Sequence, residues 1–176
     1  MLNNITDPTF RARLAVLAQG LTIAFTSSRE IPDANQRAHI HTMLESLGAA
    51  EGFVSGGCIG GDHYIGEALV AMYPNRQHTV IVPADRSRVH DWWSAYSAPY
   101  GARINVIYMP PRTEYRDRNL AMIQGYGTFL GSQLLLAFPA HNESHRKSSR
   151  SGSWQTIRMG RRSHLHQPIV QTLEAM

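Results

Sequence analysis

Four glycines fall within six positions in the stretch Phe53-Val-Ser-Gly-Gly-Cys-Ile-Gly-Gly-Asp62. Glycine costs more backbone entropy on folding than any other residue, so this density implies a tight turn or something that approaches the backbone closely. Apolar residues precede the turn, and Ile65, Leu69 and Met72 follow it at helical spacing. A strand that runs into such a turn and then into a helix over 62–73 leaves unpaired N–H groups at the helix start, where the helix dipole favours an anion. Phosphate is therefore expected on the amides of Gly56, Gly57, Gly60 and Gly61, beside Ser55. Asp62 is expected to cap the helix or to meet a ligand hydroxyl, since its charge would oppose a phosphate lying directly against it. The same pattern with no ligand is a strand-to-helix turn. On the ligand reading, a bulky residue at Gly57 abolishes binding and leaves folding largely intact.

Two further strand ends carry residues of the same chemical kind. The run 21–28 is apolar and closes on Thr26, Ser27 and Ser28, followed by Arg29. The hydroxyls suit phosphate or ribose oxygens and the guanidinium suits negative charge. A later apolar run over 133–140 ends at Pro139 and Ala140, and after a polar stretch Ser151-Gly-Ser-Trp-Gln-Thr156 opens another helix with small residues. Cys58 lies near a helix N-terminus, which lowers a thiol's pKa, but it has no recognisable histidine–acid partner set, and His63 is near only in sequence. The nine histidines form no ligand set: His39 and His41 face different sides of a helix, and His141, His145, His164 and His166 fall in loop or tail. No metal and no cofactor is expected.

The elements that must position these residues alternate. Helices are expected over 7–19, 33–47, 62–73, 113–125 and 151–162, and strands over 21–28, 53–55, 78–83, 104–111, 133–140 and 168–171. Asp33 and Gln36 resemble a capping box. Continuous apolar runs such as 78–83 suit parallel strands buried on both faces. This alternation argues for an α/β fold: a doubly wound, mainly parallel sheet with helices on both faces. In such sheets ligands bind beyond the carboxyl ends of the strands, so the ends at 26–29, 55–62 and 139–156 converge on one edge and form a cleft. Residues 141–149 read as a mobile loop, and the segment 141–150 is expected to close over a ligand with its arginines completing a phosphate clamp. The aromatics Trp92, Trp93, Tyr96 and Tyr100 read as core or as a dimer contact, with only Arg86 and Arg88 interleaved.

At 176 residues with 43% hydrophobic content, one domain with a sizeable core is the natural reading. Cys58 is the single cysteine, which excludes an intramolecular disulfide and fits a reducing, cytoplasmic setting. No long apolar run suggests a signal peptide or a membrane span. Residues 1–140 hold eleven basic and eleven acidic side chains, whereas 141–176 hold six and two, so the whole net charge of +4 lies in the C-terminal segment. Lys147 is the only lysine among the seventeen basic residues, and arginine favours planar contacts to phosphate and carboxylate.

Four blocks resemble one family: Ser55–Asp62, then Tyr115-Arg-Asp-Arg-Asn-Leu-Ala-Met122, then Leu134–Pro139, then Ser151–Thr156. Their order and spacing are similar to the SLOG superfamily, a Rossmann-like group that includes the Lonely Guy phosphoribohydrolases and the DNA-processing protein A. The small YspA-like, presumed nucleotide-binding proteins are the most similar branch. The resemblance spans about 21–171 and makes the whole chain, 1–176, one SLOG-like Rossmannoid domain. It implies a nucleotide-derived ligand across the sheet edge. It assigns Ser55, Gly56, Gly57, Gly60, Gly61 and Asp62 to the first turn, and Arg118 and Asn119 to a helix pair that reaches the cleft. Gly152, Ser153 and Thr156 become a second phosphate-binding helix start. Relatives often have a glycine where this chain has Thr26–Arg29. The hydrolases carry a glutamate after their second glycine-rich loop, where this chain has Gln155 and Thr156. The acid/base role then falls to Asp62, or to Glu67 one turn further along.

Three functions follow from these readings. The first is a sensor or sequestering module for a nucleotide or nucleoside-derived phosphorylated small molecule, built as a homo-oligomer. The second is a hydrolase of an N-glycosidic bond in such a ligand, with Asp62 catalytic. The third is single-stranded nucleic-acid binding through the basic C-terminal segment, which would weaken steeply with salt.

Overall fold

The computed structural model describes residues 7–85, 87, 89–91, 93–94, 103–163 and 168–173. Trp92, Tyr96, Tyr100, Arg86, Arg88, His164 and His166 lie outside the described residues. Helix α1 (Pro8–Ala18) starts where the Asp7 carboxylate accepts the Thr9 N–H at 2.9 Å and Pro8 occupies the first turn. Strand β1 (Thr22–Ser27) follows, then helix α2 (Ala34–Leu44), opened by the expected Asp33–Gln36 capping box. A short 3-10 turn, Glu45–Leu47, ends that helix.

Next come β2 (Gly52–Ser55), α3 (Gly61–Met72), β3 (Gln77–Val82) and β4 (Arg103–Tyr108). The chain closes with α4 (Tyr115–Gln124), β5 (Leu134–Phe138), a 3-10 turn Ser148–Arg150, α5 (Gly152–Arg162) and β6 (Ile169–Val170). β4 stops before Pro110 and Pro111, because proline cannot donate to the ladder.

Among the described residues six strands form one sheet in the order β4-β3-β2-β1-β5-β6, and each pairing of these strands is parallel. The expected mainly parallel, doubly wound α/β sheet is thus wholly parallel and Rossmann-like. Alternate strand residues feed two helical layers. Ile23, Phe25, Phe53, Leu136 and Phe138 pack against Leu14, Ile40, Leu44 and Ile65 from α1, α2 and α3. On the opposite face Ala24, Val54 and Leu135 meet Ala121 and Met122 of α4, and Ala137 meets Trp154 and Ile157 of α5. The chain winds outward from β1 through β2 and β3 to β4, then returns to place β5 on the other side of β1. The boundary between β1 and β5 is therefore the switch point, where the connections leave in opposite directions and open a crevice at the carboxyl edge.

Trp93 is buried inside its own chain against Val80, Val82 and Val70, so of the two readings, core and dimer contact, this residue takes the first. One expectation is corrected at this level. Residues 141–150 are not a loose loop. Trp154 Nε1 donates to the His141 carbonyl at 2.8 Å, the Ser148 hydroxyl donates to the Glu143 carbonyl, and Arg158 donates to the Ser148 carbonyl at 3.3 Å. These bonds pin the segment to the first turns of α5. No described helix is long and apolar enough to cross a membrane.

Candidate functional site

A cleft of about 720 Å³ opens at the switch point. Thr26, Ser27, Ser28 and Arg29 bring the end of β1 to it, and Asp62 comes from the first turn of α3. Arg118 and Asn119 come from α4, and Ser151, Gly152 and Ser153 form the start of α5. The structure thus gathers ten of the expected site residues around the cleft. Ser55, Gly56, Gly57, Gly60, Gly61, Pro139 and Thr156 are not part of that lining.

The glycine turn holds the protein's own chain. A Cβ at Gly56 would sit 1.0 Å from Arg118 Nη1, so the guanidinium fills the space a side chain would take. At Gly57, with φ +62°, a Cβ would meet Trp93 at 2.6 Å and Val80 at 2.9 Å. At Gly60 it would meet the Arg29 carbonyl at 2.2 Å, and at Gly61 the Ser27 hydroxyl at 1.9 Å. The Gly61 N–H already donates to the Ser28 carbonyl at 2.9 Å. Phosphate on this turn is corrected accordingly: the close approach that demands glycine is made by residues 27–29, 80, 93 and 118. A bulky residue at Gly57 strikes the core, so it disrupts folding and does not act on binding alone.

Asp62 is likewise not the cap of α3; Gly60 occupies that position. Asp62 is 3% exposed. Its Oδ1 accepts the Ser27 N–H at 2.6 Å, the Cys58 backbone supplies a second hydrogen bond, and Oδ2 lies 3.8 Å from Arg118 Nη1. Burial raises its pKa to about 6, against the opposing pull of Arg118 and the two backbone bonds. Asp62 thereby ties the end of β1, the glycine turn and α4 together. Arg118, 6% exposed, also donates from Nη2 to Cys58 Sγ at 3.1 Å, stacks 5.6 Å from the Tyr115 ring, and keeps a buried Nε with no hydrogen-bond partner.

Cys58 lines the cleft, but burial pushes its thiol pKa up, outweighing Arg118, so a reactive thiolate is not favoured. His63 stacks on His90 at 3.6 Å and lies 3.1 Å from Glu67, which places it in a separate cluster. Glu67 is committed there and does not line the cleft. Among the described residues no group of three or more His, Cys, Asp or Glu side chains gathers to hold a metal ion.

The hydroxyls divide into two kinds. Ser27 Oγ donates to the Phe138 carbonyl at 3.1 Å and Ser153 Oγ to the Ser27 carbonyl at 2.5 Å, so both protons are used within the fold. Thr156, fully buried, donates to the Gly152 carbonyl at 2.9 Å. Ser28 and Ser151 instead accept, from the Glu30 and Trp154 N–H groups, and among the described residues neither O–H is donated. At the start of α5, Trp154 N–H is capped by Ser151 and Gln155 N–H bonds to the Ser151 carbonyl. The N–H groups of Gly152 and Ser153 precede the first intrahelical bond and stand at the cleft wall, the arrangement that receives an anion.

Sequence reasoning missed Glu30 and Tyr115 on the lining. Glu30 follows Arg29 on the same strand end, and Tyr115 lies one helical turn before Arg118, so adjacency and helical spacing are the signals that point to them. Comparison with known proteins found no matching family model, no matching curated protein and no matching solved structure.

Proposed function

We propose that the chain binds a nucleotide or nucleoside-derived phosphorylated small molecule in the switch-point cleft, as a sensor or sequestering module. The observation that carries this reading is the start of α5, where the Gly152 and Ser153 N–H groups stand on a cleft lined by Arg29, Arg118, Arg146, Lys147 and Arg150. Backbone N–H groups at a helix start fit a phosphate, and arginines beside them supply charge. The cleft is within the range that holds a small organic ligand, on the order of 300–1,000 Å³. Part of the basic C-terminal segment faces this cleft, and Arg158 and Arg161 are engaged with Glu143. That distribution supports a small ligand over an extended nucleic-acid strand. A reducing, cytoplasmic setting and a homo-oligomer belong to the same reading, with the described surface of Trp93 excluded as the contact.

Hydrolysis of an N-glycosidic bond is a second reading, favoured by one specific observation. Asp62 is committed to backbone N–H groups and Arg118, whereas Glu30 is exposed on the cleft wall with a carboxylate that no described group engages. Glu30 is the better owner of an acid/base role there. The experiment is thermal unfolding with AMP, ADP, ADP-ribose and adenosine, followed by assay of each mixture for free base. Phosphorylated ligands at about 100 times their dissociation constant should add about 2.7 kcal/mol of stability, and adenosine should add less. Free base in the mixture would move the function to hydrolysis. Absence of any shift from all four would overturn the pocket.

A further inference from the structure

The cleft carries more positive charge than one phosphate requires. Arg29, Arg118, Arg146, Lys147 and Arg150 line it, against the carboxylates of Glu30 and Asp62. Arg118 and Asp62 face each other at 3.8 Å and offset one another. Four cations then stand against Glu30, a surplus of three charges. Three of those four cations come from the stretch 146–150, which the bonds from Trp154 and Arg158 hold in place. The one acidic residue of 141–150, Glu143, is turned away to α5, 2.6 Å from Arg161 and 3.9 Å from Arg158. Arg146, Lys147 and Arg150 are exposed and have no carboxylate partner among the described residues. Like charges collected around one cleft repel, and the repulsion grows as a ligand expels water from between them. An anion of matching charge relieves it.

We infer that the ligand carries a diphosphate, with one phosphate on the start of α5 and the second against Arg146, Lys147 and Arg150. This rests on the nucleotide reading above and adds the number and placement of the phosphates. One phosphate monoester brings roughly −1.5 to −2 charges, and a second phosphate group brings the total closer to the observed surplus. A terminal diphosphate, at about −3, matches that surplus; an internal diphosphate ester carries about one charge on each phosphate, so it reaches the same two positions with less charge.

The test is calorimetric titration of AMP, ADP and ADP-ribose into the wild-type chain and into a variant combining Arg146→Ala, Lys147→Ala and Arg150→Ala. These exposed side chains hold no described element together, and circular dichroism checks that the variant is folded. The wild type is expected to prefer a diphosphate over AMP by at least about tenfold, the scale of one added charge-assisted contact. In the variant that preference should fall to near unity. ADP as the tighter ligand identifies a terminal diphosphate, and ADP-ribose an internal one. Equal affinity for AMP and both diphosphates in the wild type overturns the inference and leaves the single-phosphate reading standing, and a preference that survives the triple substitution overturns the placement of the second phosphate against Arg146, Lys147 and Arg150. Failure of all three to bind overturns the nucleotide reading itself.

Discussion

A carboxylate with almost no exposure keeps its charge only if donors surround it, and Asp62 has the Ser27 and Cys58 backbones and Arg118. Burial still dominates and lifts its pKa from 3.8 to about 6. Because the folded-state value is the higher one, the native chain holds a proton that the unfolded chain has lost between these limits. The stability contributed by this group is complete below about pH 4 and is lost as pH rises through about 6. His78 works in the opposite sense: burial lowers its pKa, so its contribution is present above its unfolded value and falls away in acid. Comparing wild type with Asp62→Asn cancels the histidine. The wild type should lose up to roughly 3 kcal/mol more than the variant between pH 4 and 7, read by urea unfolding across that range; parallel pH profiles would show that the carboxylate is not buried as described. Asp62 therefore serves at neutral pH to fix Arg118 and the β1 end, at a cost in stability. Gly57→Val is the second residue-scale expectation. A positive φ and the 2.6 Å approach of Trp93 leave no room for the side chain, and the loss should be about 2 kcal/mol or more in chemical unfolding. Unchanged stability with lost binding would restore the original reading of this turn. That a close approach occurs at Gly56 and Gly57 was legible from glycine density. What approaches was not, because Arg118 and Trp93 are distant in the chain and only the folded topology brings them there.

Elements were legible wherever periodicity or capping chemistry was strong. The apolar runs became β1, β3 and β5, and Asp33 and Gln36 formed their box. Boundaries moved where local chemistry outweighed pattern: the helix expected over 33–47 ends at Leu44 in a 3-10 turn, and the prolines shorten β4. The polar stretch 141–150 gave no periodic signal, since its order comes from bonds to Trp154 and Arg158 on the next helix. Helix α5 is the element on which the site depends. Ser151 is its cap, accepting the Trp154 N–H at 3.4 Å. Ser151→Ala should destabilise the chain by about 0.5–2 kcal/mol and should also weaken phosphate binding by removing a free O–H. Thermal unfolding with and without ADP separates the two effects. A loss of stability with undiminished ADP binding would confine Ser151 to capping.

At the scale of the whole molecule, the cleft follows from strand order. Placing β1 between β2 and β5 opens the crevice, and parallel strands send all three polar strand ends to the same edge. The sheet's alternation puts α3 on one face and α4 and α5 on the other, so Asp62, Arg118 and Gly152 converge from both layers. The proposed phosphate rests on the start of α5, and one substitution isolates it. Gly152 occupies the first helical position, a Cβ there meets nothing within 4 Å, and Ser151 before it is extended, with φ −76° and ψ 127°. Proline fits such a position and removes only its N–H. Calorimetric titration of ADP into wild type and Gly152→Pro should show an unchanged melting temperature without ligand and a loss in affinity of about tenfold or more, the scale of a hydrogen bond to a charged group. Equal affinity in a folded Gly152→Pro variant would contradict the account and remove the phosphate from this helix.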